Sequence, residues 1–322
     1  MATIIETTAA SLNRHAVAYN QTINQQMRVG MEYENIFTVR ASDNVWSAPN
    51  VTAGEVVQPY QSGFTPKNSV TFDAEELKLQ KIKIDIIFEA DDIEKWFESW
   101  RVEWHEIGKP EGDWSFPRYI YDMILMPKIL EEMNTNAFKG LYVAPAVGVA
   151  GLSINSVTGL IERLKAGVTA GDIAEIVTGA ITATNAVNKF ETFSDTLPEL
   201  YRDLPGVIYT DHDNKRFYDR DYRGQFGFGA GVGTNENTES RIDSTGKRIQ
   251  ALHGLTGTGG MIFVPDTKTN LVWGTRIGYP TMPNLRWKDD GIRVLKATTE
   301  FYRFYGYEYP KEVFINDMFT PA

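Results

Sequence analysis

The residue types that most often perform chemistry occur here without the spacing that chemistry requires. Asp211–His212–Asp213 could bind a metal ion, but a polar turn that follows a strand explains these residues better. Glycines alternate over 227–233 as GxGxGxG, but without the helix start and the lysine of a phosphate-binding loop, which favours a flexible loop. The histidines show no metal-ligand spacing and are expected to be structural or surface residues: His15, His105, His212 and His253.

A cluster of tryptophan and carboxylate side chains comes nearest to a catalytic pattern. Glu103, Glu106 and Glu111 lie near Trp100 and Trp104, as the paired carboxylates of a glycoside hydrolase would lie near its aromatic residues. Solvation of a helix face and aromatic packing account for the same residues, because carboxylates alone do not define a catalytic pair. We therefore predict no catalytic, cofactor-binding or metal site and no cofactor, and keep a carbohydrate hydrolase as the enzymatic alternative.

Composition and charge set the broad class of protein. The 322-residue chain is long enough for about two or three packed units, or for one large domain with insertions. Its net charge of -10 argues against a sequence-reading DNA-binding protein, although not against a container that encloses DNA. The sequence contains no cysteine, and it shows neither a secretory signal nor an apolar stretch of membrane-spanning length. It predicts a soluble protein that is made in the cytoplasm.

The stretch from residue 70 to 88 is predicted to be a long extended segment. Its second half alternates isoleucine with polar residues, as a half-buried strand does. Leu77 and Leu79 alternate in the opposite phase, so a bulge or a sharp twist is expected near Gln80–Lys81. Turn residues divide the preceding residues 45–67 into short runs, which predicts a long two-stranded hairpin that other elements must cover.

Two helices are expected after this strand. Residues 91–107 carry acidic residues in the first turn and a stripe of tryptophans at four-residue spacing. Residues 115–140 are predicted to form a longer helix, which begins at a Ser-Phe-Pro sequence and ends at Gly140. Pro127 is expected to kink this helix, because proline removes one of its backbone hydrogen bonds.

Shorter elements are predicted over the rest of the chain. The residues before position 46 have weak periodicity and are expected to form an arm, whereas residues 224–260 are rich in glycine, threonine and asparagine and are expected to form loops. The predicted helices cover 156–165, 172–190 and 198–204, a polar turn covers 211–214, and the predicted strands cover 206–210, 261–264, 271–274 and the aromatic-rich run that contains Val294 and Tyr302.

Taken in order, these elements resemble the major capsid proteins of tailed bacteriophages, which have the α+β fold of Hong Kong 97 type (HK97-like). The resemblance covers most of the chain and is carried by the long helix over 116–140, the strand and turn near 200–210, the run Asn270–Gly274 after a turn, and the C-terminal run that ends at Asn316–Asp317. It implies an N-terminal arm over 1–45, an extended β-hairpin loop over 46–88, a peripheral domain with a long spine helix from 89–140 and 260–322, and an axial domain over 141–259.

The resemblance also implies a structural protein and not an enzyme. Many copies would assemble as hexamers and pentamers into an icosahedral shell around double-stranded DNA, which is enclosed without sequence recognition. Portal, scaffolding and decoration proteins would be further partners, no membrane is involved, and the location would be the virion capsid after assembly in the host cytoplasm. An encapsulin-like compartment that encloses enzymes shares the fold and stays open as an alternative. Contacts between subunits are expected from Tyr60, Phe64, Lys67, Phe72, Leu77, Leu79, Trp96 and Trp100.

Overall fold

A computed structural model describes residues 31–67, 70–107, 120, 125–227, 240–243, 245–279, 285–289 and 294–319. The helices are α1 (Glu32–Ile36), α2 (Ala90–Ile107), α3 (Met126–Lys139), α4 (Leu160–Ala170), α5 (Ala186–Thr196), α6 (Glu199–Arg202), α7 (His212–Phe226) and α8 (Thr267–Asn270). The strands are β1 (Thr38–Ser42), β2 (Val45–Ala53), β3 (Val70–Lys78), β4 (Gln80–Glu89), β5 (Glu175–Ile176), β6 (Val207–Thr210), β7 (Arg248–Ala251), β8 (Met261–Phe263), β9 (Leu271–Arg276), β10 (Arg286–Asp289), β11 (Val294–Tyr307) and β12 (Phe314–Asn316). None of the helices in these ranges is both long and apolar enough to cross a membrane.

Strand β11 is the centre of the larger sheet, whose order is β1-β9-β11-β10 with β4 also paired to β11. The strand has 14 residues, and its two parts pair with different strands. Residues Val294–Arg303 pair antiparallel with β4, whereas Phe304–Tyr307 pair antiparallel with β9. Alternate residues in the first half of β11 are buried, because successive side chains of a strand point to opposite faces of the sheet.

The predicted change of phase occurs at Leu79, between β3 and β4. Strand β3 pairs with β2, whereas β4 pairs with β11, so the chain leaves one sheet and enters another at this residue. Leu79 lies outside both strands and donates its N–H to the carbonyl oxygen of Asn44, 2.9 Å away. The predicted strands are confirmed, and the exchange of partners is the physical reason for the change of phase.

Residues 31–42 belong to the core of the subunit and not to an arm. Tyr33 and Phe37 are buried, and the ring of Tyr33 packs edge-on against Trp273 and Tyr305 at centroid distances of 5.8 and 5.4 Å. Strand β1 follows and pairs in parallel with β9. The predicted arm is therefore corrected over these residues, while its earlier part lies outside the described residues.

The long helix ends as predicted at Gly140, whereas the kink at Pro127 stays a prediction. Pro127 lies in the first turn of α3, a position where proline is tolerated, and Leu125 directly before α3 also has helical backbone dihedrals. The start predicted near residue 115 lies outside the described residues. A side chain at Gly140 would lie 2.3 Å from the carbonyl oxygen of Val157, and one at Gly159 would also meet backbone atoms. These two glycines let α3 and the chain before α4 approach closely.

The second sheet has the order β5-β12-β8-β6-β7. Helices α5 and α7 pack on it through the buried side chains of Phe190, Phe193 and Tyr218. Strand β8 pairs with both β6 and β12, and β12 comes from the end of the chain. The domain boundary predicted between residues 259 and 260 therefore falls within this sheet.

Two predictions of local structure in this region are wrong. Residues 211–214, predicted as a polar turn, are the N-cap and first turn of α7, where Asp211 Oδ1 accepts the N–H of Asn214 at 2.7 Å. A turn and a helix N-cap favour the same short polar residues, so the local pattern does not separate them. Residues 172–190, predicted as a helix, contain β5 and only the first part of α5.

Candidate assembly surface

The hairpin of β2 and β3 is anchored to the subunit through apolar side chains at its base. Leu77 and Leu79 join Phe304 of β11 in a small buried cluster, and Trp46 packs against it. Leu77 is completely buried and lies so close to Gly306 that a side chain there would come within 2.6 Å of a leucine methyl group. Full burial of a leucine side chain contributes about 1.5–3 kcal/mol to folding, so this cluster fixes one end of the hairpin.

An ion pair reinforces the same base. Arg40 Nε donates to Glu308 Oε1 at 2.8 Å, and Trp46 Nε1 donates to the same oxygen at 3.1 Å. The side chain of Glu308 is only 7% exposed, so these donors replace most of the water that would otherwise solvate its charge. The hydrogen bond to Glu308 also raises the pKa of Arg40. The interaction joins β1, β2 and the end of β11.

The distal part of the hairpin, residues 54–67, is here called the tip. Every residue of the tip is exposed, and the side chains of Tyr60 and Phe64 are 94% and 95% exposed. Lys67 Nζ donates to Glu55 Oε2 at 2.7 Å, which ties the two ends of the tip together. Large apolar side chains on a two-stranded hairpin, which is marginally stable alone, indicate a surface that another molecule covers.

The structure separates the residues predicted to contact a neighbouring subunit. Three have exposed side chains on the tip: Tyr60, Phe64 and Lys67. Three are buried in the core of their own subunit: Leu77, Leu79 and Trp100. Trp96 is half-buried, with its ring centroid 5.2 Å from that of Phe88, and the side chain of Phe72 lies outside the described residues. Burial removes the second group from any surface offered to a neighbour, and a contact role for the tip residues stays a prediction.

A second exposed apolar stretch, residues 141–152, follows α3. All of its residues are exposed, including Val147 and Leu152 at 103% and 71%. Its first residue is held in place by the N–H of Leu141, which donates to the carbonyl oxygen of Ile154 at 2.9 Å. The small, apolar and glycine-rich composition of this stretch is visible in the sequence, but such a composition is equally typical of a buried segment.

The residues weighed as chemical sites are only partly described. Trp100 is buried, whereas the side chains of its carboxylate neighbours in the tryptophan and carboxylate cluster lie outside the described residues. Gly227 ends α7 with a φ of 80°, a backbone conformation that favours glycine. His212 and His253, which are far apart in the sequence, have ring centroids only 4.2 Å apart. Sequence reasoning missed this contact, because no local spacing connects the two residues.

Comparison with known proteins finds similarity in fold but not in sequence. No family model matches the chain, and no curated protein matches it. The structure matches a chain of the satellite phage P4 procapsid with its size determination protein over 92% of this chain and 98% of that chain, with a TM-score of 0.53 and 10% identity. It matches the capsid of a native GTA particle over 89% of each chain, with a TM-score of 0.56 and 10% identity. The capsid of an empty GTA particle matches over 88% of this chain and 94% of that chain, with a TM-score of 0.53 and 12% identity.

These likenesses extend over nearly the whole length of both chains. The protein therefore has the α+β fold of phage capsid subunits, the Hong Kong 97-type fold that the order of its elements predicts. Identities of 10–12% show why a comparison of sequences alone does not detect the relationship. Apart from residues 31–42, which pack in the core, the division of the chain into arm, extended loop, peripheral domain and axial domain stays a prediction.

Proposed function

We propose that this chain is the major capsid protein of a tailed phage and that it assembles as hexamers and pentamers into an icosahedral shell around double-stranded DNA. The fold shared with the P4 procapsid and the GTA capsid supports a structural role and not an enzymatic one. Each subunit of such a shell must contact several neighbours through different surfaces. Contacts of this heterologous kind form closed rings when the rotation between subunits closes.

The observation that carries the proposal is the exposed tip of an anchored hairpin. Tyr60 and Phe64 have almost no neighbours in their own subunit, although the base of the same hairpin is firmly packed. Burial of each aromatic side chain against a neighbouring subunit would contribute about 2–3 kcal/mol. The same contact is repeated at every subunit of a shell, so a modest energy for each contact supports a stable assembly.

The proposed division of the subunit follows the predicted boundaries. The extended loop, 46–88, carries the tip, and the axial domain, 141–259, begins with the second exposed apolar stretch. The peripheral domain, 89–140 with 260–322, contains α3 and β11. Strands β8 and β12, which belong to the second part of the peripheral domain, pair in the second sheet and would tie the two domains together.

The proposed cargo is DNA that the shell encloses without reading its sequence. The net charge of -10 fits enclosure, because tight binding to phosphates requires a basic surface. A portal, a scaffolding protein and decoration proteins would be further partners. The location would be the virion capsid, after assembly in the host cytoplasm.

Expression of the full chain tests the proposal directly. The chain is produced with and without a scaffolding protein from the same genome, and the products are examined by sedimentation velocity and negative-stain microscopy. We expect closed shells of uniform diameter under at least one of the two conditions. A discrete small species under both conditions would contradict the proposal.

The content of the particles separates the two kinds of shell. Particles purified from the natural source are expected to contain double-stranded DNA, measured by ultraviolet absorbance and nuclease protection. An encapsulin-like compartment would instead contain an enzyme, which mass spectrometry of the purified particles identifies.

A further inference from the structure

Glu32, His212 and His253 form a cluster of metal-ligating side chains at the edge of the second sheet. Each residue offers one ligand atom, and these atoms lie within 4.8 Å of one another. We propose that the three side chains bind one divalent transition-metal ion, with water completing its coordination. The site lies within one subunit, so this inference does not rest on the proposed shell function.

The pairing of β6 with β7 brings the two histidines together. These strands are parallel neighbours, with Thr210 opposite Ala251, so the residues that follow each strand emerge at the same edge of the sheet. His212 is the first residue of α7 and follows the end of β6 after one intervening residue, Asp211. His253 begins a 3-10 turn soon after β7.

Glu32 reaches the histidines from α1, and its carboxylate is already oriented. Oε1 accepts the backbone N–H of His253 at 3.0 Å, and Oε2 accepts the N–H of Gly254 at 3.1 Å and the side-chain amide of Asn134 at 3.2 Å. A carboxylate has about four lone-pair sites, so these three bonds leave one for a metal ion. Hydrogen bonds of this kind hold a metal-ligating carboxylate in the required position.

His212 supplies a second, independent observation at this cluster. Its Nε2 atom is buried and has no hydrogen-bond partner within the described ranges. Buried polar atoms are almost always partnered, because an unpaired one costs free energy. A metal ion bound through Nε2 would give this nitrogen a partner, and the exposed ring of His253 would let the ion enter from solvent.

The ligand set identifies the class of ion. Imidazole nitrogens suit Zn²⁺ and its first-row neighbours, whereas Ca²⁺ and Mg²⁺ are bound through oxygen ligands. Around a tetrahedral zinc ion the ligand atoms are on the order of 3.3 Å apart, so small rotations of the side chains would close the cluster onto the ion. The bound ion would fasten α1, which packs in the main core, to the edge of the second sheet.

Zinc binding to the full-length, unassembled subunit tests the proposal. After treatment with a chelator, the protein is titrated with Zn²⁺ in competition with a chromophoric indicator. We expect one site for each chain with a Kd of about 1 µM or tighter, weakened at least about 10-fold in both His212→Gln and His253→Gln. Unchanged affinity in these two variants, or no binding by the wild type, would overturn the proposal.

Control variants separate this site from adventitious binding. A double variant, His15→Gln with His105→Gln, removes the other histidines and is expected to keep the wild-type affinity. Arg220→Gln changes an exposed residue of α7 and is also expected to have no effect. Loss of binding in either control, with binding kept in His212→Gln, would place the ion elsewhere and refute the proposed site.

Thermal and optical measurements on the wild type do not depend on the folding of any variant. Zn²⁺ at about 100 times its Kd is expected to raise the Tm by about 4 °C, because the ion binds the folded chain and not the unfolded one. Substitution of Co²⁺ is expected to give the visible absorption of a tetrahedral site with nitrogen and oxygen ligands. An unchanged Tm, or a Co²⁺ spectrum identical to that of the free aqueous ion, would each exclude the site.

Discussion

The base and the tip of the β2–β3 hairpin are continuous in sequence and have opposite surroundings. At the base, Leu77 is completely buried and Trp46 donates a hydrogen bond to a carboxylate of its own subunit. At the tip, Tyr60 and Phe64 are almost fully exposed. Apolar residues thus serve folding at one end of the hairpin and, under the proposed function, association at the other. Substitutions at the two ends should therefore change different measurements.

The largest effect on subunit stability is expected at the base. Leu77→Ala leaves a cavity beside β11 and should lower the free energy of unfolding by about 3 kcal/mol, measured by chemical denaturation of the unassembled subunit. Val57→Ala is the matched control, since Val57 lies on the tip and is 89% exposed; its effect should stay within about 0.5 kcal/mol. Equal losses of unfolding free energy in the two variants would mean that the base of the hairpin is no more important for folding than the tip.

The ion pair at the base is expected to have the next largest effect. Glu308→Gln removes the charge that Arg40 faces while keeping a similar shape, and should cost about 2 kcal/mol of unfolding free energy. A double-mutant cycle with Arg40→Met measures the interaction between the two residues directly. A coupling energy near zero would show that the pair does not anchor the hairpin.

A smaller effect on the free energy of unfolding is expected at Asp317, which lies far from the hairpin. Asp317 Oδ1 accepts the backbone N–H groups of Thr178 and Gly179 at 2.9 and 3.0 Å. Burial raises the pKa of Asp317, but these hydrogen bonds outweigh it and bring the pKa below the ordinary value of 3.8. Asp317→Asn should therefore cost about 1 kcal/mol at neutral pH.

The stabilisation contributed by Asp317 should depend on pH, and its sign follows from the direction of the pKa shift. The folded protein holds Asp317 as a carboxylate more strongly than the unfolded chain does, so the stabilisation is present above the ordinary value of 3.8 and is lost as the pH falls through the lower folded pKa. Unfolding curves of wild type and Asp317→Asn should converge in acid. If the difference in unfolding free energy between wild type and Asp317→Asn stayed constant into acid, the charge of Asp317 would not be the source of the stabilisation.

The smallest effect on subunit stability, and the largest on assembly, is expected at the tip. Tyr60→Ser combined with Phe64→Ser should change the unfolding free energy of the unassembled subunit by less than about 0.5 kcal/mol and should abolish shell formation in sedimentation velocity. The matched control is Tyr60→Phe, which keeps the apolar area and should still assemble. Normal shells from the serine variant would remove the tip from the proposed contacts.

The strands of the hairpin and of β4 could be predicted because their signals are local. Alternation of apolar and polar residues, and its change of phase near Leu79, are properties of a few consecutive residues. The start of α7 is not predictable from local sequence, because Asp211 and its neighbours favour a turn and a helix cap equally. The order of the elements nevertheless indicated the α+β capsid fold, which the structural comparison confirms.

Which apolar residues are buried and which distant polar residues meet are not local properties. Leu77 and Phe64 are both large apolar residues of the hairpin, and only the packing of β11 against its base makes one of them core and leaves the other exposed. Glu32, His212 and His253 likewise meet only because β6 pairs with β7 and α1 packs beside them. The spacing of apolar residues indicates whether the local chain is a helix or a strand. Burial and ligand geometry depend instead on contacts between residues that are far apart in sequence.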